Sequence, residues 1–391
     1  MLDSAAMTRM LPPSLPAVPS PAANPPAEIA PNDLLVHAIG WFDGRFGYNV
    51  HTRGLFDALS RRLPVVATPL YVRSGPLEED KAAVPALFGR REIATVALLY
   101  GSLTEVLDGA AGRRIAYTVW ESTRLPDDWF GPLGRADRIW TATAWGKRVF
   151  AANGFDPERI DVVPEGVDPA LFHPGVPPVD AFPAQPFKFL AIGRWERRKG
   201  MAELVQAFDR EFGDRDDVVL VLAGLYSGRL DLDLGAELRA LDLKHPQRLK
   251  IVPPVDAHRV FAGIYTACDA FVAPSRAEGW GLPVIEAMAC GLPTIVTGYS
   301  GPTEFIGEHA WRIDHRLVPV DQPFFQRADG DLGLWAEPDW RHLRHLMREV
   351  YENRAAAKER GLAGSAHVRR AFSWERAADI AEARIRDLLS R

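Results

Sequence analysis

Nowhere does this chain hold an apolar run long enough to cross a bilayer, and no basic-then-apolar leader opens it. Cysteine is scarce: Cys268 and Cys290 are the only two in 391 residues, and both sit among apolar neighbours. Two such thiols give no metal-binding spacing. They read as buried, reduced cysteines, which excludes a disulfide-stapled secreted domain and points to the cytoplasm. An excess of charge is missing too. With 46 Lys+Arg against 51 Asp+Glu the net charge is −5, so wholesale nucleic-acid binding is excluded. The pairs Arg61-Arg62, Arg90-Arg91 and Arg113-Arg114 read as solvated basic spots. No G-x-G-x-x-G follows a strand, which removes the main support for a dinucleotide-dependent dehydrogenase. The "DLD" of Asp231 and Asp233 lies in a polar stretch before a helix, away from any evident strand end, and reads as solvated rather than metal-binding.

What is present is ordinary for a globular protein, 47% hydrophobic and 25% charged, in a chain too long for one typical core. Residues 1–32 are rich in Pro and Ala without apolar periodicity and predict a disordered tail. From residue 33 to 170, β-branched runs such as "LLVHAIG", "VVATPL", "IATVALLY" and "RIAYTVW" alternate with helical stretches, the pattern of a parallel sheet with crossover helices. A proline-rich segment, 171–186, predicts a linker. The alternation restarts over 187–370 with "FKFLAIG", "VVLVLAG", "AFVAPS" and "PTIVTG". A final helix is expected over 371–391, with Ser373 as its N-cap. Two Rossmann-like doubly wound α/β domains facing across a cleft are predicted, with ligands at the carboxyl ends of the strands.

Two stretches carry chemistry. In "AEGWGLPVIEAMACGLPTIV" (277–296), Pro283 suits the first turn of a helix and Gly291 the residue beyond its end. Gly279 and Gly281 keep the helix mouth free of side chains, so its unpaired N–H groups can meet an anion. Glu278 stands before that mouth and Glu286 within an otherwise apolar helix; carboxylates there suit hydroxyl groups. "AIGRWERRKG" (191–200) places Arg194 beyond a strand end and Lys199 at the start of a helix, a fork and a point charge suited to a diphosphate. Arg197 and Arg198 read as solvated members of the same turn.

Together with "SGPTEFI" and "VVPEGVDPALFHP", these stretches resemble the retaining glycosyltransferases of family 4 (glycosyl transferases group 1), over nearly all of residues 33–391. The two glutamates match that family's E-x7-E element. The resemblance implies a GT-B fold whose last helix packs back on the N-terminal domain, an acceptor held by 33–170, and a sugar nucleotide held by 187–370. It implies a hexosyltransferase of polysaccharide, lipopolysaccharide or glycoconjugate assembly. The donor would be a UDP- or GDP-sugar and the acceptor a glycan or lipid-linked glycan. No obligatory metal, no nucleic acid and at most peripheral membrane association are implied. Carried onto this chain, Arg194 and Lys199 neutralise the diphosphate, Glu278 binds the donor sugar and Glu286 the ribose. The amides of Gly281 and Leu282 face phosphate or sugar, and Val252 to Val255 lie where the base is held.

In the first domain, "GWFDGRFGYNVHTRG" resembles the family's loop that approaches the donor phosphates and the acceptor, with Gly44 and Gly47 at the mouth of a helix. His51 reads as an ordinary helix-face residue; Arg53 reads equally as that or as a functional cation. Many family members carry a histidine after the strand that here ends in "YTVWESTRLPDDW", a W-E-x-x-x-x-P-x-x-W variant. Glu121 at that place either orients a sugar hydroxyl or helps deprotonate the acceptor, or else pairs with Arg124 beside a Trp120–Trp129 cluster. A glycoside hydrolase also uses two carboxylates but needs neither Arg194 and Lys199 nor the glycine-lined helix mouth. A phosphorylase of similar fold would need a late cofactor-bearing lysine, and Lys358 has a helical, charged context. The rival from another class is a catalytically silent scaffold.

Overall fold

A computed structural model describes residues 34–391 except 45, 72–77, 80–92, 99–109, 111, 183–185, 215, 226–231, 256–257 and 323–330. The expected N-terminal tail, Arg90-Arg91 and Asp231 lie outside the described residues. The chain divides into two compact units. One gathers residues 34–120, Leu125–Gly166 and Trp374–Arg391; the other gathers Glu121–Arg124 and Val167–Ser373.

The first unit is built on strands β1 (Leu35–Gly40), β2 (Val65–Tyr71), β3 (Glu78–Glu79), β4 (Ile93–Leu98), β5 (Arg113–Tyr117), β6 (Arg138–Thr141) and β7 (Ile160–Val162), in the order 3-2-1-4-5-6-7. Only the short β3 pairs antiparallel. β1 and β4 are buried along their whole length, as continuous apolar runs in the middle of a parallel sheet require. Helices α1 (Gly47–Ser60), α2 (Phe130–Arg135) and α3 (Ala144–Ala152) belong to this unit. Thr143 caps α3, its hydroxyl accepting from the Gly146 N–H at 2.9 Å. The C-terminal helix, Trp374–Leu389, packs on α1 in the same unit.

The second unit runs β8 (Phe187–Ile192), α4 (Met201–Glu211), β9 (Val218–Ala223), α5 (Leu234–Ala240), β10 (Leu249–Ile251), α6 (Val260–Thr266), β11 (Ala270–Ala273), α7 (Leu282–Ala289), β12 (Thr294–Thr297) and β13 (Trp311–Ile313). Its sheet order is 10-9-8-11-12-13. An antiparallel pair follows, β14 (His315–Pro319) with β15 (Leu334–Pro338), then helices α8 (Trp340–Glu352) and α9 (Arg354–Ala371). One face of the sheet, with Phe189, Leu220, Leu222 and Ile295, shares a core with Leu204 and Phe208 of α4 and Leu343 and Met347 of α8. Strand order reverses between β8 and β11, so the loops leaving these neighbours diverge at their carboxyl ends. Both stretches singled out in the sequence leave from there.

Candidate active site

After β8 the chain makes a single 3-10 turn, Arg197–Lys199, closed by Gly200 at φ +67°. A Cβ at Gly200 would lie 2.8 Å from the Pro274 carbonyl oxygen, so only glycine lets this turn approach the end of β11. After β11 the chain runs through Ser275 and Arg276 to Glu278. The two loops meet: Lys199 Nζ donates to Glu278 Oε1 at 2.6 Å, and Arg198 Nη1 donates to Glu278 Oε2 at 3.1 Å. Burial alone would raise the Glu278 pKa; Lys199 and Arg198 outweigh it and hold the carboxyl at about 2. Glu278 is therefore an ionised carboxylate at any physiological pH.

Arg198 corrects the sequence reading. Expected in solvent, it is 4% exposed and is the hub of the turn. Besides Glu278 it donates to the Ala277 carbonyl at 2.9 Å and, through Nη2, to Glu196 at 2.8 Å. Its Nη1 also lies 3.0 Å from Glu121 Oε1. Glu121, buried, belongs with this unit although the strand before it belongs to the other. Burial raises its pKa most; Arg198 opposes, Glu278 adds, and the balance is about 7. Two carboxyls on one guanidinium thus have their pKa values pushed in opposite directions, Glu121 up and Glu278 down, a familiar signature of functional sites.

The mouth of α7 matches its sequence signals. Gly281 stands at φ +104° before Leu282, Pro283 occupies the first turn, and Gly291 follows the helix at φ +84°. The Glu278 turn is held from behind by "SGP": Ser300 Oγ accepts from the Glu278 N–H at 2.9 Å, and the Gly301 N–H donates to the Glu278 carbonyl at 2.9 Å. Ser300 adopts φ +58°, ψ −144°, a strained conformation for a non-glycine residue. Glu286, buried in α7, accepts from His258 Nε2 at 2.8 Å and from the Tyr265 hydroxyl at 3.0 Å. Each oxygen keeps a further lone pair.

Other sequence candidates are placed as follows. Arg194 lies beyond β8, half-buried, 3.3 Å from Glu196. Arg197 pairs at the surface with Asp321 and Glu203. Val255 follows β10 in the same unit. Asp233 of the D-x-D caps α5, accepting from the Ala236 N–H at 2.9 Å. Gly44 and Gly47 are in the other unit, after β1. Gly44 sits at φ +118° against Asn49, whose amide also donates to the Asp43 carbonyl at 2.6 Å. Arg53 donates to the Gly44 carbonyl at 2.8 Å and so holds this loop. His51, read as an ordinary helix-face residue, is fully buried; that burial lowers its pKa to about 3.

Residues 177–320, which hold the Arg198, Glu278 and Glu286 groups, match the family described as glycosyl transferases group 1. A D-inositol 3-phosphate glycosyltransferase of Arthrobacter sp. (strain FB24) is 30% identical over 235 residues, 58% of this chain and 49% of that protein. The aligned stretch thus spans about half the length of that curated relative. Sucrose-phosphate synthase from Thermosynechococcus elongatus superposes with a TM-score of 0.66 at 18% identity, covering 91% of this chain and 99% of that one. Anabaena Alr3699/HepE in complex with UDP-glucose superposes with a TM-score of 0.62 at 14% identity, covering 89% and 98%. These likenesses give the fold: two-domain α/β, GT-B.

The sequence reading missed Arg276. Its side chain is 1% exposed and donates to Glu337 at 2.8 Å and Glu203 at 2.8 Å. It also donates to the Arg197 carbonyl, while its own N–H donates to the Arg198 carbonyl at 2.7 Å. Arg276 thereby pins the 3-10 turn against the end of β11. A single arginine amid "FVAPSRAEGWG" at a strand's end is the signal that pointed to it.

Proposed function

We propose that the chain transfers a hexose-type sugar from a nucleoside diphosphate sugar to an acceptor hydroxyl, with retention of anomeric configuration. The observation that carries this reading is the Lys199–Glu278–Arg198 group at the carboxyl ends of β8 and β11, beside the side-chain-free mouth of α7. The bond between the anomeric carbon and the diphosphate oxygen breaks, and its electron pair leaves with the diphosphate. That growing charge needs preorganised donors. Lys199 keeps two N–H donors beyond the one given to Glu278. Arg194 and the amides at Gly281 and Leu282 complete the set, with Gly279 keeping the approach open. Glu278 takes the sugar and Glu286 the ribose, with the base near Val255. The acceptor oxygen bonds to the same face of the anomeric carbon, and its proton passes to the departing phosphate oxygen.

The UDP-glucose held by the Anabaena protein supports a UDP-sugar donor, with a GDP-sugar as the alternative. A glycan or lipid-linked glycan is the proposed acceptor, in polysaccharide or glycoconjugate assembly. Neutralisation by protein cations and amides makes the transfer independent of added metal. The test is incubation of the chain with a panel of sugar nucleotides, following slow donor hydrolysis by mass spectrometry. One donor is expected to hydrolyse and to keep doing so in EDTA. If no donor binds or hydrolyses, the catalytically silent scaffold replaces this reading.

A further inference from the structure

Glu286 interrupts an otherwise apolar helix, and its side chain is 5% exposed. A carboxylate so placed needs donors, and two come from the stretch around α6. The turn into that helix brings His258, whose Nε2 lies 2.8 Å from Glu286 Oε1. The helix itself brings Tyr265, whose hydroxyl donates to Glu286 Oε2 at 3.0 Å. A carboxylate only accepts, so His258 Nε2 carries the proton of the first bond. The two donors stand seven positions apart, about two helical turns, and so reach the same neighbour from one side.

These donors differ in what else they do. Tyr265 is fully buried and packs edge-on to Phe271, ring centroids 5.8 Å apart, so it belongs to the core. His258 keeps 23% of its side chain exposed. Buried Phe172 lies against both, its ring centroid 5.3 Å from the imidazole and 6.1 Å from the phenol, and limits how either can turn. One lone pair of each Glu286 oxygen is thereby taken by a protein donor, and one remains on each. Two acceptor sites side by side on a fixed carboxylate match two neighbouring hydroxyls. A ribose carries that pair; a 2′-deoxyribose does not.

We propose that His258 is a positioning residue for the nucleotide: by holding Glu286 Oε1 it aims the carboxylate at both ribose hydroxyls, and so makes the chain select ribonucleotide over 2′-deoxyribonucleotide donors. This rests on the glycosyl-transfer reading, in which Glu286 takes the ribose and the base lies near Val255, three residues before His258. What it adds is the side chain on which the choice of pentose depends. With both donors in place the carboxylate is held at two points. With Tyr265 alone it pivots about Oε2, and Oε1 leaves its target. A hydrogen bond to a carboxylate changes affinity by roughly tenfold or more, so loss of either the hydroxyl or the aim is measurable. The two losses are coupled, because once the aim is gone, removing the hydroxyl removes little more. A ribose contact is the same throughout transfer, so His258 acts on donor affinity and leaves kcat near its wild-type value.

The experiment uses the full chain as wild type, His258→Phe and His258→Gln. Phe keeps a ring against Phe172 and drops the donor; Gln places an amide N–H where Nε2 was. UDP, GDP and their 2′-deoxy counterparts are titrated into wild type by calorimetry. If neither ribonucleotide binds, the glycosyl-transfer reading itself falls and takes this proposal with it. With a ligand in hand, wild type should bind the ribonucleotide about tenfold or more tightly than its 2′-deoxy form. His258→Phe should lose about tenfold for the ribonucleotide and little for the deoxy form, so that the preference nearly vanishes. His258→Gln should keep most of it, which a role in packing alone would not produce. With saturating sugar nucleotide, kcat should stay near wild type in both variants. Five results overturn the proposal while leaving the glycosyl-transfer reading in place: equal binding of both forms by wild type; a full preference retained in His258→Phe; both forms weakened equally in His258→Phe, which makes His258 a support of the fold; His258→Gln no better than His258→Phe; or a fallen kcat with affinities unchanged.

Discussion

Glu278 and Glu286 belong to one turn-helix segment but are held by unlike partners. Glu278 lies between two cations, and Glu286 between a histidine and a phenol. A ribose contact is the same before, during and after transfer, so Glu286→Gln should raise the donor KM and weaken the free nucleotide with little change in kcat. The sugar gains charge in the transition state. Glu278→Gln should therefore lower kcat, by about tenfold or more, and leave nucleoside diphosphate affinity nearly intact. Steady-state kinetics on both, with nucleotide titrations, separate the roles; equal losses of nucleotide affinity would end the distinction. Stability against pH gives a second handle. Glu121, raised from 4.5 to about 7, binds its proton more tightly folded than unfolded. Its contribution is fully present below pH 4.5 and is lost as pH rises through 7. Thermal melts should show Glu121→Gln gaining on wild type across that window; a constant gap in Tm would place the Glu121 pKa elsewhere.

At the scale of elements, the bounds of α7 were legible because Pro283 and Gly291 act through local backbone geometry, and the helix runs Leu282–Ala289 between them. The strands were legible as β-branched runs for the same reason. Arg198 was not. In a 3-10 turn successive side chains point about 120° apart, so Arg197 reaches the surface while Arg198 turns inward. Three basic letters in a row do not say which faces in. Arg276 and the pairing of Glu121 with Arg198 were hidden differently, since the partners come from distant segments brought together only by the fold. Gly301 shows how tightly these segments fit: a Cβ there would lie 2.6 Å from the Gly279 carbonyl oxygen and 2.7 Å from that of Glu278. Gly301→Ala must push the Glu278 turn toward the ligand side. It should lower kcat about a hundredfold, as misplacement by an ångström does, while circular dichroism still reports a folded protein. Full activity in that variant would show that the turn tolerates displacement.

At the scale of the whole chain, the last residues complete the first unit rather than the second. Trp374 lies against Gly54 of α1, where a Cβ would fall 2.3 Å from the indole, and it stacks on His51 with ring centroids 5.7 Å apart. Around it Arg61 and Arg62 pair with Glu375 and Asp379 in contact with solvent. The two kinds of contact differ in weight. Removing a buried indole costs roughly 3–5 kcal/mol, whereas exposed ion pairs contribute about 0–1 kcal/mol each. Trp374→Ala should therefore lower the denaturation midpoint far more than Glu375→Ala. It should also act on His51, whose pKa burial lowers from 6.5 to about 3. A histidine kept neutral by the fold makes folding less favourable as pH falls from 6.5 toward 3, because the unfolded chain takes up the proton first. With Trp374 gone, water reaches the ring, its pKa returns toward 6.5, and that part of the acid destabilisation disappears. The histidine resonances of wild type and Trp374→Ala, followed by NMR from pH 8 to 4, check this. One extra histidine should titrate near pH 6 in the variant, and a His51 that stays silent there would mean that other side chains, not the C-terminal helix, keep it dry.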